Sequence, residues 1–113
     1  MTVTEQVLKE HREKRQEINQ IHEMLNNNIL NTEGQEAVHM KEYYTELLRE
    51  YDLEHYEIEK VLIHLPANER IVIRAYYLSE NKKTWEDVSS RLHFSLQHIF
   101  RLKKSALKKL SQS

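Results

Sequence analysis

One glycine and one proline serve a chain of 113 residues. Sheets reverse direction often, and the turns that do so draw on glycine and proline. With only Gly34 and Pro66 to supply them, an all-β fold is disfavoured. The remaining chain is rich in Glu, Lys, Leu, Gln and Arg, which form helix readily. The expectation is therefore an all-α protein. The absence of cysteine removes disulfides and thiolate zinc sites. No apolar run reaches membrane-spanning length, and Met1-Thr2-Val3-Thr4-Glu5 lacks the basic-then-apolar layout of a secretion signal. The reading is a soluble, cytoplasmic protein with no membrane partner.

Apolar residues at spacings of three and four place the helices. Leu8, His11, Arg15, Ile18, His22, Leu25 and Ile29 share one face of a first helix that begins at Thr4. Three consecutive asparagines and Gly34 supply the break, and Thr32 with Gln35 is a plausible capping box for the second helix. There, Ala37, Tyr44, Leu48, Tyr51, His55, Ile58, Leu62 and Leu65 continue the pattern, with one gap at Lys41. This spacing supports two arrangements: an antiparallel hairpin closed within one chain, or a helix that also joins a homodimer through residues 37–65. Leu65-Pro66 ends the second helix, because proline disfavours helix in the residue before it. Pro66 suits the first turn of the next helix, which runs to about Leu78 with Ile71, Ala75 and Leu78 on one face and Val72 and Tyr76 beside it.

After a polar loop at 79–83, Thr84 caps a helix with Asp87 at its third position. His93-Phe94 makes a turn, and Ser95 caps a last helix to about Leu110. Taking Trp85 as the first position of a twenty-residue unit, Val88, Leu92, Phe94, Ile99 and Leu102 fall at the inward positions of a helix-turn-helix. Ser89 is small where the two helices approach. His93 stands where glycine is usual; histidine visits the left-handed region more readily than most residues.

This stretch resembles region 4 of bacterial sigma factors. Leu65-Pro66-Ala67-Asn68-Glu69-Arg70, Tyr77, Thr84-Trp85-Glu86-Asp87-Val88 and Ala106-Leu107-Lys108-Lys109-Leu110 follow that family's order and spacing over about 46 residues. The acidic helical part before it, and the run Ile99-Phe100-Arg101-Leu102, are more similar still to short phage regulators of the same type, among them activators of late and packaging genes. The first 64 residues leave no room for a polymerase-binding region 2, so the chain is not expected to be a complete sigma factor. The resemblance implies that the last helix enters the major groove of duplex DNA. Positions 96, 97 and 101 would read bases and Ser95 would touch phosphate. Here Leu96 replaces an Arg, Arg101 a Gln, and Phe100 a basic residue, so a different DNA sequence is expected.

The residue chemistry supports the same interface independently. Gln97, His98 and Arg101 occupy the first turns of the last helix, where base edges are reached. Arg bonds guanine bidentately and Gln bonds adenine. Lys103, Lys104, Lys108 and Lys109, with Lys82 and Lys83 in the loop, suit phosphate contacts, which position without specifying; Thr84, and Ser95 as the resemblance implies, join the expected phosphate set. Phe100 is expected to pack, on Leu96 and Leu107 or against the N-terminal helices. Charge divides the chain likewise. Residues 1–64 carry seven Lys/Arg and fourteen Asp/Glu, a net of −7, whereas residues 65–113 carry ten and four, a net of +6. The expected organisation is an acidic helical hairpin over 1–64, for oligomerisation or partner binding, and a helix-turn-helix DNA-binding domain over 65–113.

None of the seven histidines is paired at a spacing of three or four, so no metal or other cofactor is expected. No nucleophile elbow, phosphate loop or paired-carboxylate arrangement suggests an enzyme. The function read from the sequence is a double-stranded-DNA-binding transcription regulator of phage or prophage origin, with host RNA polymerase a further candidate partner. Two other readings stay open: a sigma-like module that docks on polymerase or another protein with weak DNA contact, and a DNA-binding subunit of a phage packaging machine.

Overall fold

The computed structural model describes residues 2–26 and 34–112, which form five helices and, among the described residues, no strand. Helix α1 spans Glu5–Asn26. The Thr4 hydroxyl accepts from the Val7 N–H at 3.2 Å and so closes the first turn. Helix α2 spans Gln35–Leu62, with Gly34 as its cap and no side-chain cap bond. Gly34 thus takes the place expected of Thr32. Thr32 and Ile29 lie outside the described residues, as does the Ala37 side chain. The α2 helix ends at Leu62 rather than Leu65. His64 and Leu65 donate to the carbonyls of Val61 and Leu62, a tighter winding that delivers the chain to Pro66. Helices α3 (Ala67–Tyr77), α4 (Trp85–Leu92) and α5 (Leu96–Ser111) follow.

The first two helices form an antiparallel hairpin. Ile18 and Ile21 meet Leu47 and Tyr51 at one end, and Val3 and Leu8 meet Ile58 and Leu62 at the other. Each fully buried Leu or Ile contributes about 1.5–3 kcal/mol relative to exposure. Between the two clusters His11 is completely buried, its ring stacked on Tyr51 at 4.1 Å. A carboxylate only accepts, so His11 Nδ1–H donates to Glu54 Oε1 (2.7 Å); with the ring neutral, Nε2 accepts from His55 Nδ1–H (3.1 Å). Lys14 Nζ closes the network on the other Glu54 oxygen at 3.2 Å. The spacing that suggested a dimer is therefore used inside the chain. Tyr51, Ile58, Leu62 and Leu65 are buried as expected, and Leu47 is buried more deeply than Leu48.

The lower end of the hairpin does not stop at its own helices. Val3, Leu8, Ile58, Leu62 and Leu65 share one cluster with Ile73 and Tyr77 of α3 and with Ala106 and Leu110 of α5. The acidic and basic segments thus have a common core. This sets the rotation of α3. Glu69, Val72, Ile73 and Tyr77 are its buried residues, while Ile71, expected inward, is 44% exposed. Helices α1 and α5 press on α3 from the side of Ile73 and Tyr77, a demand that α3's own spacing does not reveal. Glu59 of α2 clasps Arg74 of α3 through both carboxylate oxygens, fixing the corner where the chain turns at Pro66.

Candidate nucleic-acid interface

Val72, Val88, Ile99 and Leu102 form a small core of their own where α3, α4 and α5 cross, edged by Ala75, Tyr76, Trp85, Leu92 and Phe94. The five inward positions read from the sequence all contribute to it. The entry to α4 is closed reciprocally. Asp87 N–H donates to the Thr84 hydroxyl at 3.1 Å, and Thr84 N–H donates to the Asp87 carboxylate at 2.9 Å. Those Thr84 groups hold the Asp87 carboxyl below the ordinary carboxylate range.

The turn to α5 takes three residues. His93 adopts the left-handed conformation, φ 58° and ψ 35°, and donates its N–H to the Ser89 carbonyl. Phe94 N–H donates to the same carbonyl at 3.2 Å, and the Ser89 hydroxyl returns a bond to the Phe94 carbonyl at 2.5 Å. A larger side chain at Ser89 would break this lock. The Ser95 hydroxyl then accepts from His98 N–H at 3.1 Å and starts α5.

The faces of α5 follow from about 100° of rotation per residue. Ile99, Leu102, Ala106 and Leu110 are buried. Opposite them, Gln97, Arg101, Lys104 and Lys108 recur at spacings of four, three and four, and all four are exposed. They make one continuous stripe. Ser95 lies exposed at its start, and its hydroxyl keeps an O–H to donate. The exposed Thr84 hydroxyl is in the same condition at the start of α4, beside the exposed Lys82.

Two candidate residues stand away from the stripe. His98 is half-buried and meets Phe94 edge to face at 4.9 Å. Lys103, about a third of a turn away, is also half-buried. Its ammonium bonds Glu5 Oε2 at 3.1 Å and lies 5.0 Å from the centre of the Trp85 ring. That bond is the main reason the Glu5 carboxyl lies below its ordinary range. Tyr77 donates its hydroxyl to the same Glu5 oxygen at 3.1 Å. Lys83 is half-buried as well, and its backbone carbonyl accepts from Arg12 at 2.6 Å. On the far flank Lys109 bonds Glu69 at 2.6 Å.

Helix α1 holds more in place than its own residue pattern signals. The Arg12 guanidinium lies 4.2 Å from the centre of the Tyr76 ring. Trp85 stacks on that ring at 3.7 Å, which leaves Arg12 the opposite face. Asn19 donates to the Glu80 carbonyl at 2.7 Å. Helix α1 thereby grips both ends of the loop between α3 and α4. Its alternation of charge and apolar residues gave no signal of this, because the partners lie more than 60 positions away. Phe100 was expected to pack and does so only in part. It meets Trp85 edge-on at 5.9 Å and remains 45% exposed. Among the described residues no group of three His, Asp or Glu side chains is arranged to hold a metal ion.

Two short helices joined by a left-handed turn, with an acid-free second helix baring a polar and basic stripe, define a helix-turn-helix of the DNA-binding class. Residues 61–112 match the family described as Sigma-70, region 4, so the C-terminal part of the chain is a sigma-region-4-like helix-turn-helix. No curated protein and no solved structure matches the chain.

Proposed function

We propose that the protein is a sequence-specific, double-stranded-DNA-binding transcription regulator whose helix α5 lies in the major groove. The observation that carries this reading is the exposed stripe Gln97, Arg101, Lys104, Lys108 on a helix without a single acid. Gln97 and Arg101, in the first turns, read base edges. Lys104 and Lys108, with Ser95, Thr84, Lys82 and Lys83, hold phosphates. His98 and Lys103 serve from the flanks, Lys103 once its bond to Glu5 is given up. Phage or prophage origin, action in the bacterial cytoplasm and regulation of late genes belong to this reading. They are supported by the resemblance of the acidic helical part and of the run Ile99-Phe100-Arg101-Leu102 to short phage regulators.

The hairpin is the partner-binding part. Host RNA polymerase or a second copy would meet α2 on its outer side, where Val38, Tyr43, Leu53, Tyr56 and Ile63 are exposed. The test is selection from random duplexes with the full-length protein, followed by titration at rising salt. A consensus site is expected, with affinity falling steeply and log-linearly with salt. Equal, weak binding to all duplexes would refute the reading in favour of a protein-docking module.

A further inference from the structure

We propose that Phe100 is a third base-reading residue, and that the group it reads is the C5-methyl of a thymine. The inference rests on the DNA-binding reading above and adds to it the chemistry of one contact. Phe100 follows Gln97 by three positions and precedes Lys104 by four, so it borders the exposed stripe about 60° from Gln97. An aromatic ring 45% exposed on that border is not fully used by the fold. It has a single ring partner among the described residues, Trp85, which it meets edge-on at 5.9 Å.

Trp85 is itself held, stacked on Tyr76 at 3.7 Å with Arg12 behind Tyr76. The Phe100 side chain is therefore supported from the protein side and bare on the side that faces outward with Gln97 and Arg101. A ring so held has few rotamers to lose on contact.

The choice of ligand follows from what the major groove displays. Base edges there offer hydrogen-bond donors and acceptors and one apolar group, the thymine methyl. A phenyl ring cannot hydrogen-bond and is repelled by phosphate. In a groove-bound α5 it would otherwise desolvate polar base edges without compensation, which is costly. Against a methyl, both partners leave water. Leu96 and Leu107 lie on the same flank of the helix, and both are half-buried, so next to the stripe this border is apolar; Lys103 lies further round, with its ammonium held by Glu5. The opposite border carries His98, Ser105 and Lys109 and is polar. The apolar border thus assigns thymine to one side of the base pairs read by Gln97 and Arg101.

The experiment removes the methyl without touching the protein. In the duplex obtained by selection, each thymine is replaced singly by uracil, which differs only in lacking that methyl. Binding of the full-length wild type, Phe100→Ala and Phe100→Leu is then measured. At one thymine per bound α5, uracil should weaken the wild type about fourfold, the effect of burying one methyl. Phe100→Ala should bind the thymine duplex about as weakly as the wild type binds the uracil duplex, and should not distinguish the two. Phe100→Leu should keep part of the discrimination. Phe100 is exposed, so all three proteins should share one helical content by circular dichroism.

Indifference of the wild type to every uracil substitution overturns the assignment. So does full thymine preference retained by Phe100→Ala. In both cases a selected site still stands and the DNA-reading proposal survives. A protein that selects no site at all overturns both.

Discussion

Arg101 and Lys104 are neighbours on the exposed stripe of α5, yet their removal should be felt differently. Arg101→Ala is expected to cost about 1–3 kcal/mol on the selected site and to flatten discrimination at one base pair, because a bidentate contact depends on the base edge. Lys104→Ala or Lys108→Ala should weaken every duplex alike and lower the salt slope by about one phosphate's worth. Titration of specific and random duplexes at several salt concentrations separates the two. Equal weakening of both duplexes by Arg101→Ala would move Arg101 to the phosphate set.

A second residue-scale consequence concerns acid. Burial is the chief influence on His11 and lowers its proton affinity, against the opposing pull of Glu54. Below the ordinary histidine value of 6.5 the unfolded chain takes up a proton that the folded chain refuses. The contribution of the neutral, bonded ring is thus complete above that pH and falls as pH drops beneath it. Urea unfolding at pH 7.5 and 5.5 should show this loss. His11→Phe, which keeps the stack on Tyr51, should show a smaller difference between the two pH values; an unchanged difference would place the acid sensitivity elsewhere.

At the scale of single helices, the ends were more legible than the faces. Thr84 and Asp87, Ser95, and the left-handed His93 are local devices, complete within five residues, and the structure contains each as the sequence suggests. The face of α3 was misread at Ile71 because its rotation answers to α1 and α5. Lys103 read as a free phosphate ligand because Glu5 lies 98 positions before it. Phe100 was read only as a packing residue, since spacing alone does not report which border of a helix its neighbours leave open. The α4 cap gives a prediction at this scale: Thr84→Val removes the acceptor for Asp87 N–H and should cost about 1 kcal/mol in urea unfolding. The outer side of α2 gives another. If a second copy docks there, Leu53→Ser combined with Tyr56→Ser should convert a sedimenting dimer to monomer. Dimerisation unaffected by that change would place the contact elsewhere.

For the whole molecule, charge suggests two parts, but packing joins them. A fragment of residues 65–113 would lose Val3, Leu8, Ile58 and Leu62 from the cluster that seats Ile73, Tyr77, Ala106 and Leu110. It is expected to unfold without a cooperative transition by circular dichroism, whereas the intact chain should melt in one step; a cooperatively folded fragment would show that the C-terminal unit needs no support. The grip of α1 on Lys83 and Glu80, and of Glu5 on Lys103, then acquires a meaning beyond architecture. A phosphate that recruits Lys103 must draw it from Glu5, and a ligand that shifts α1 must disturb the same bond. The two ends of the protein therefore share one free-energy balance, and each ligand alters the affinity for the other by the same factor. Amide exchange in the first turns of α1 should accordingly register whether α5 is occupied.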